Sequence, residues 1–322
     1  MPAPFLLVTN RSWDRRKKEW TAKPEPNGML SWLLIDSSSG DVTAVREKLL
    51  PVEFKRQLLR QAGKTGQLLV FTPGARSFGD ALTASKALSR RLKSRSCATP
   101  FKGAVIGFSM AIQQIKLLPP NAVWPTKAYF KGQEDRIQIG KLSYRNFLDQ
   151  LQMMRDSGEL DSVFHFAQSA GTMLMQQSAA IKTTQKLSID HTVVSGSPLG
   201  SNSFNKSGKS VGIVKASKGV TVYWAEDDAV ILYAEKRLGP SIGTRGPTDP
   251  KFKPSYSNVV SKTCQFVDCS EVNESWGDNC NHNAYEEVST IYEDILASMQ
   301  GLPTPKRTPI RGSNGLGFRL AD

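Results

Sequence analysis

Residues 162–177, SVFHFAQSAGTMLMQQ, constrain the fold more than any other stretch of this chain. The segment opens with an apolar run rich in strand-forming residues, Val163 to Ala167, and it ends with helical composition. Only a tight turn around Ser169 separates the two parts, with the small residues Ala167 and Gly171 on either side. Small side chains there allow a strand and a helix to pack closely. The segment therefore predicts a buried strand, a sharp turn that carries one serine, and a helix.

A strand, a serine turn and a helix form the nucleophile elbow of α/β-hydrolases, with the pattern Gly-x-Ser-x-Gly. This chain has Ala-Gln-Ser-Ala-Gly instead, and alanine is the mildest replacement for the first glycine. The helix directs its N-terminus at the serine, so the Ala170 N–H is a candidate oxyanion donor. An ordinary β–α turn is the alternative interpretation. The elbow also requires an acid and then a histidine later in the chain.

Only two histidines follow Ser169, namely His191 and His282. His191 starts an apolar run, 191–194, and is interpreted as a structural residue of a strand. His282 lies in the polar loop 277–283, which follows a predicted strand and precedes a predicted helix. The loop after the last strand is where this fold places its general base. The spacing therefore predicts His282 as the base.

The acid is expected just beyond the strand that precedes the histidine loop. Residues 219–224 are rich in β-branched and aromatic side chains and predict that strand. It ends in three successive carboxylates, Glu226, Asp227 and Asp228. From the residues alone, any of them is a candidate, and a solvated acidic loop is the alternative.

Several short fragments, read in order, resemble a family of bacterial α/β-hydrolases of unknown function. The fragments are Thr9-Asn10-Arg11, Ala167 to Gly171, Tyr223 to Ile231, Arg237-Leu238-Gly239 and Phe266 to Ser270, followed by His282. The similarity extends thinly over residues 4–298. It implies the α/β-hydrolase fold, and it selects Asp228 as the acid.

The same resemblance implies a second oxyanion donor in the loop after the third strand, near Gly74 and Ala75. The chain departs from the family pattern in this region. The family's His-Gly-Tyr-Asn segment corresponds to residues 72–76, Thr-Pro-Gly-Ala-Arg, and the elbow histidine is replaced by Gln168. These departures put the substrate and the catalytic power in question.

Strand-like and helix-like segments alternate along the chain, which predicts a mostly parallel sheet with helices on both faces. We expect a single domain over residues 1–300 and a flexible basic tail over residues 301–322. The irregular segments 111–143 and 199–218 follow strand ends, so they are expected either to border the pocket or to form surface loops.

Neither an apolar run of membrane-spanning length nor a signal-peptide pattern is apparent. The four cysteines have no metal-ligand spacing, and we expect reduced thiols. These observations favour a cytoplasmic location, and export without a cleaved signal peptide stays open.

The net charge is +13, and the positive charge is concentrated in one region. Residues 81–133 contain nine basic residues and no acidic one. On the predicted helix of this region, Lys86, Arg90 and Lys93 share a face, which favours an anionic partner. An anionic lipid surface or a phosphate-bearing substrate suits a hydrolase better than nucleic acid, for which no motif is recognisable. A merely basic surface is the alternative.

Together the patterns predict a serine hydrolase that cleaves a carboxylic ester, with a lipid ester among the candidates. Ser169 would be the nucleophile, His282 the base and Asp228 the orienting acid. This chemistry needs no metal or organic cofactor. The alternative is a non-catalytic protein of the same fold that binds a polyanion with its basic face. The acyl preference and the oligomeric state are not determined by the sequence.

Overall fold

The computed structural model describes residues 4–25, 29–35, 45–95, 97–112, 127–248, 256–257, 259–272 and 281–321. The strands are β1 (Phe5–Thr9), β2 (Arg11–Asp14), β3 (Glu19–Pro24), β4 (Ser31–Ile35), β5 (Val45–Leu49), β6 (Gln67–Thr72), β7 (Ala104–Ser109), β8 (Ser162–Gln168), β9 (Ile189–Ser195), β10 (Ser217–Trp224), β11 (Cys264–Asp268), β12 (Arg307–Pro309) and β13 (Gly317–Leu320). The α-helices are α1 (Pro51–Ala62), α2 (Phe78–Leu92), α3 (Lys127–Asp156), α4 (Ala170–Ala179), α5 (Val211–Ala216), α6 (Ala229–Leu238), α7 (Ile242–Arg245), α8 (Ala284–Glu287) and α9 (Ser289–Gln300).

Eleven strands form one sheet in the order β12-β13-β11-β10-β9-β8-β6-β7-β1-β4-β5. The eight strands from β13 to β1 are parallel to their neighbours, and antiparallel pairs occur at the two edges. The predicted mostly parallel sheet is therefore confirmed. Because parallel strands end at a common edge, the loops after β6, β8, β9 and β10 meet at the carboxyl edge of the sheet.

The sheet is covered on both faces because successive strand residues point to opposite sides. In β6, Leu68 and Val70 pack with α1, α3, α4 and α5, whereas Leu69 and Phe71 pack with α2 and α9. All four side chains are fully buried. A strand that is apolar on both faces is typical of a parallel sheet between two helical layers.

The sequence did not predict the hairpin formed by β2 and β3, which pair only with each other. Its Trp13 and Trp20 rings meet edge to face at 5.2 Å, and Trp20 stacks on Phe78 at the start of α2. The hairpin is thereby attached to the main body through aromatic packing.

Both irregular segments are more regular than predicted. Residues 127–143 form the first half of α3, and residues 113–126 lie outside the described part of the chain. In the other segment, residues 211–216 form α5 and β10 already begins at Ser217. In both segments the local composition predicted an irregular structure. Packing on the sheet nevertheless stabilises helical or extended structure in part of each segment.

The predicted flexible tail is wrong, because residues 301–322 include β12 and β13. Strand β13 pairs in parallel with β11, and β12 pairs with β13. The Arg307 guanidinium forms a buried ion pair with Asp294 at 2.7 Å and donates to the hydroxyl of Tyr223 at 2.9 Å. Leu320 is fully buried in the core. These long-range contacts fix a segment whose own sequence has no periodicity.

In the part of the chain that the structure describes, no helix is long and apolar enough to cross a membrane. Cys97, Cys264 and Cys269 are buried free thiols, while Cys280 lies outside the described residues. Cys264 and Cys269 pack on opposite faces of the sheet.

Candidate active site

Ser169 occupies the turn between β8 and α4, as the sequence predicted. Its backbone has φ 54° and ψ −128°, a conformation that few non-glycine residues adopt. The N–H of Ser169 donates to the carbonyl of Ser195 at 3.0 Å, which ties the turn to the end of β9. Such strain is maintained only where the surrounding structure imposes it.

Close packing around the turn explains why its last position is glycine. A Cβ at Gly171 would lie 2.2 Å from the carbonyl oxygen of Thr72 at the end of β6. Helix α4 can therefore approach the sheet only because this side chain is absent. Ala167 is fully buried on the other side of the turn.

Asp228 and His282 are paired at the same edge of the sheet. The Nδ1 atom of His282 lies 3.0 Å and 2.9 Å from the two carboxylate oxygens of Asp228. Asp228 is completely buried, and it also caps α6 by accepting the N–H of Ile231 at 3.1 Å. The helix N-terminus stabilises the negative charge of the carboxylate. This carboxylate is therefore placed to fix the orientation of the imidazole.

The neighbouring carboxylates have other surroundings. Asp227 is exposed and accepts the side-chain amide of Asn281 at 3.0 Å, while Glu226 is exposed at the surface. Asp268, at the end of β11, accepts the hydroxyl of Ser270 at 2.6 Å and lies 3.7 Å from Arg319. Of these four acids, Asp228 is the one that contacts the ring of His282.

Gly196, directly after β9, lies beneath the pair. It has φ +46°, and a Cβ there would lie 3.2 Å from Oδ2 of Asp228 and 3.3 Å from Cε1 of His282. The ring of Tyr285 is closer still, at 2.8 Å from the same point, and it is fully buried. Burial raises the pKa of Tyr285 well above its usual value, and the charge of Asp228 raises it further. The phenol therefore stays neutral.

The loop after β6 lies against the serine. A Cβ at Gly74 would lie 2.5 Å from Cβ of Ser169 and 2.9 Å from its Oγ, so only glycine fits. The N–H of Gly74, a predicted oxyanion donor, instead donates to Oε1 of Gln168 at 3.1 Å. Because that N–H is engaged, Gly74 does not fill the predicted role. Ala75 lines the pocket together with Ser169 and Ala170, and it stays a candidate donor.

The side chain of Arg76 joins this loop to the histidine segment. It donates to Oδ1 of Asn283 at 2.7 Å and forms an ion pair with the buried Glu286. Arg11 supports the same loop by donating to the carbonyl of Arg76 at 2.6 Å. Burial, together with the charge of Arg136, lowers the pKa of Arg11 to about 9.

An apolar pocket opens beside Ser169 between α3, α4 and α6. The segment 111–143 borders it through Ile112 and through residues of α3. No described residue of 199–218 lines it, although Pro198 does. The first segment therefore borders this pocket, and no described residue of the second does.

The three basic residues proposed to bind an anion do not line this pocket. Lys86, Arg90 and Lys93 lie in and just after the second half of α2. This helix starts near the carboxyl edge of the sheet and returns to the amino end of β7, so Lys93 lies at the opposite edge from Ser169. Leu88 and Leu92 of the same helix face the core.

The chain matches a family model over residues 51–299, which is more than half of its length. The family is alpha/beta hydrolase of unknown function (DUF900). The chain belongs to this family. Membership confirms the predicted α/β-hydrolase fold and the resemblance from which the acid was selected. Comparison with curated proteins and with solved structures gives no match.

Two features of this candidate site escaped sequence analysis. Gly196 gave no signal, because a single glycine after a strand is common. Gln168 was noticed only as a departure from the family pattern, although its position next to the serine could have suggested a local role. Its two hydrogen-bond partners are the N–H of Gly74 and the carbonyl of His282. Both lie in loops far from Gln168 in sequence, so these contacts are identified only in the folded chain.

Proposed function

We propose that the protein is a serine hydrolase that cleaves a carboxylic ester through an acyl-enzyme. The observation that carries this proposal is the pairing of His282 with the buried Asp228 at the sheet edge that also holds the strained Ser169. A nucleophile, a base and a group that orients the base are the elements of nucleophilic acyl transfer.

In the first half of the reaction, Oγ of Ser169 attacks the ester carbonyl and passes its proton to Nε2 of His282. Asp228 holds Nδ1 of the ring, which fixes the tautomer and stabilises the imidazolium. The N–H groups of Ala170 and Ala75 are the proposed donors to the oxyanion. His282 then protonates the departing alcohol. In the second half, it activates water, which releases the acid and restores Ser169.

The described structure has no hydrogen bond between the Ser169 hydroxyl and the His282 ring. Nucleophile–base contacts are often loose in the absence of substrate and tighten in the complex. The N–H of Ser169 donates to the carbonyl of Ser195, and Cε1 of His282 would lie 3.3 Å from a Cβ at the adjacent Gly196, so both residues lie near the end of β9.

A fluorophosphonate probe tests the proposal. The native protein should form one adduct, mapped by mass spectrometry to Ser169, and Ser169→Ala should abolish it with the fold intact. Ser178→Ala, on the same helix, is the matched control and should label normally. An adduct on a different serine would refute the assignment.

Absence of both labelling and ester hydrolysis would favour the alternative, a non-catalytic protein of this fold with a basic binding face. The replaced family residues in loop 72–76 are the feature that supports this alternative. Tight, salt-sensitive binding of the inactive protein to a polyanion would then identify its role.

A further inference from the structure

The pocket beside Ser169 has almost entirely apolar walls. Helix α4 contributes Met173, helix α3 contributes the buried Ile137, and helix α6 contributes Val230 and Ile231, both also buried. An aliphatic group that enters such a space exchanges water for dispersion contacts, and affinity increases with each methylene.

The lining of this pocket, called the channel below, runs along one face of α6 and includes Ser169. Val230, Ala234 and Leu238 all line it, and their spacing of four residues places them on one face of α6. Val230 follows Asp228 by two residues, while Leu238 is 39% exposed at the surface. Eight residues of helix correspond to about 12 Å, so the lining contributed by α6 spans about that length.

The charge of the lining excludes an anionic acyl group. The described residues that line the channel include no lysine or arginine, and their one carboxylate, Glu134, belongs to an exposed residue of α3. The rings of Phe130 on α3 and Tyr233 on α6 both line the channel, and their centroids lie 6.3 Å apart. A carboxylate or phosphate on the acyl chain would lose its water without gaining a cation.

We propose that this channel binds an unbranched aliphatic acyl chain, and that the substrates are esters of medium-chain fatty acids. The proposal rests on the proposed ester-hydrolase function, because the channel is continuous with Ser169. In this proposal, α6 selects the length of the acyl chain, and the small side chain of Ala234 keeps the middle of the channel open.

The test compares p-nitrophenyl acetate with p-nitrophenyl octanoate. The wild-type protein should cleave the octanoate with a kcat/KM at least about tenfold higher, because each buried methylene contributes a factor of roughly four. Ala234→Phe should fill the channel and lower kcat/KM for the octanoate by about tenfold or more, a larger factor than for the acetate. Ala234→Leu, a smaller filling that is easier to fold, should shift the preference in the same direction.

Leu232→Phe is the matched control, because Leu232 lies on α6, is 39% exposed and does not line the channel. It should behave like the wild type with both esters. An octanoate preference that is absent, or that survives in folded Ala234→Phe and Ala234→Leu, would overturn the inference while Ser169-dependent cleavage of the acetate still stands. If neither ester is cleaved and no fluorophosphonate adduct forms at Ser169, the proposed function itself fails.

Discussion

The side-chain oxygen of Gln168 accepts the backbone N–H of Gly74 at 3.1 Å. The amide nitrogen of the same side chain donates to the carbonyl of His282 at 3.2 Å. Gln168 is nearly fully buried, and it directly precedes Ser169. One side chain therefore links the loop after β6 to the histidine segment across the proposed nucleophile.

Replacing Gln168 should impair catalysis more than substrate binding. We expect Gln168→Met to lower kcat for p-nitrophenyl acetate by about tenfold or more, since two buried hydrogen bonds of about 1 kcal/mol each are lost. KM should change much less, because Gln168 does not line the channel. Gln177→Met, the same substitution in α4, is the control. An unchanged kcat would mean that the two loops keep their positions without this link.

The acid assignment predicts a steep contrast between adjacent residues. Asp228→Asn should reduce kcat by on the order of 10⁴, the loss seen in serine proteases when the ring is left in the wrong tautomer. Asp227→Asn and Glu226→Gln remove the neighbouring charges without touching the His282 ring, and they should stay near wild-type activity. Steady-state kinetics with one ester measures kcat for all three variants and the wild type. Similar small losses in all three variants would direct attention to Asp268.

The close approach at Gly171 predicts a stability loss. Gly171→Ala places a Cβ 2.2 Å from the Thr72 carbonyl, so backbone must move, at a cost of about 1–3 kcal/mol. Gly132→Ala, within α3, meets no atom within 4 Å, and it should be neutral or stabilising by up to about 1 kcal/mol. Chemical denaturation measures both. Equal stability of the two variants would contradict the packing argument.

The buried His165 predicts a pH dependence of stability. Burial lowers its pKa from 6.5 to about 3, while its Nε2 bonds with the hydroxyl of Thr72 at 3.1 Å. Between those pKa values the unfolded chain binds a proton that the folded protein does not. The free energy of unfolding should therefore decrease as pH falls from 6.5 towards 3, by up to about 1.4 kcal/mol per pH unit for this group.

His165→Leu should make this decrease shallower by that amount, as measured by denaturation at several pH values. His191, whose pKa burial lowers to about 4, contributes in the same direction and is retained in both proteins. An identical pH slope in the variant and the wild type would show that His165 titrates normally.

The basic face of α2 yields a separate prediction about partners. If it binds an anionic lipid surface, association with phosphatidylserine vesicles should weaken as salt rises, and reversing Lys86, Arg90 and Lys93 to Glu should remove it. Hydrolysis of a small neutral ester by this variant should be nearly unchanged, because none of the three lines the channel. Vesicle binding that changes neither with salt nor with charge reversal would indicate a merely basic surface.

Local sequence determined the elements whose residues carry their own signal. Strand β6, with its apolar residues Leu68 to Phe71, was predicted over its observed range, and the serine turn followed from small residues at 167 and 171. The proposed order of serine, acid and histidine also followed from sequence, because β8, β10 and β11 occur in the same order along the chain and across the sheet. Among the three adjacent carboxylates, however, only the family resemblance favoured Asp228.

Tertiary structure decided what depends on contacts between distant segments. The last 22 residues appeared to be a tail, yet Arg307 pairs with Asp294 and Leu320 fills a place in the core. In the same way, Gln168 looked like a mere substitution until folding brought Gly74 and His282 to its two amide atoms. Sequence patterns report which face of an element is apolar. The partner of a buried polar group is set by the positions of other strands and loops, and these positions exist only once the sheet has formed.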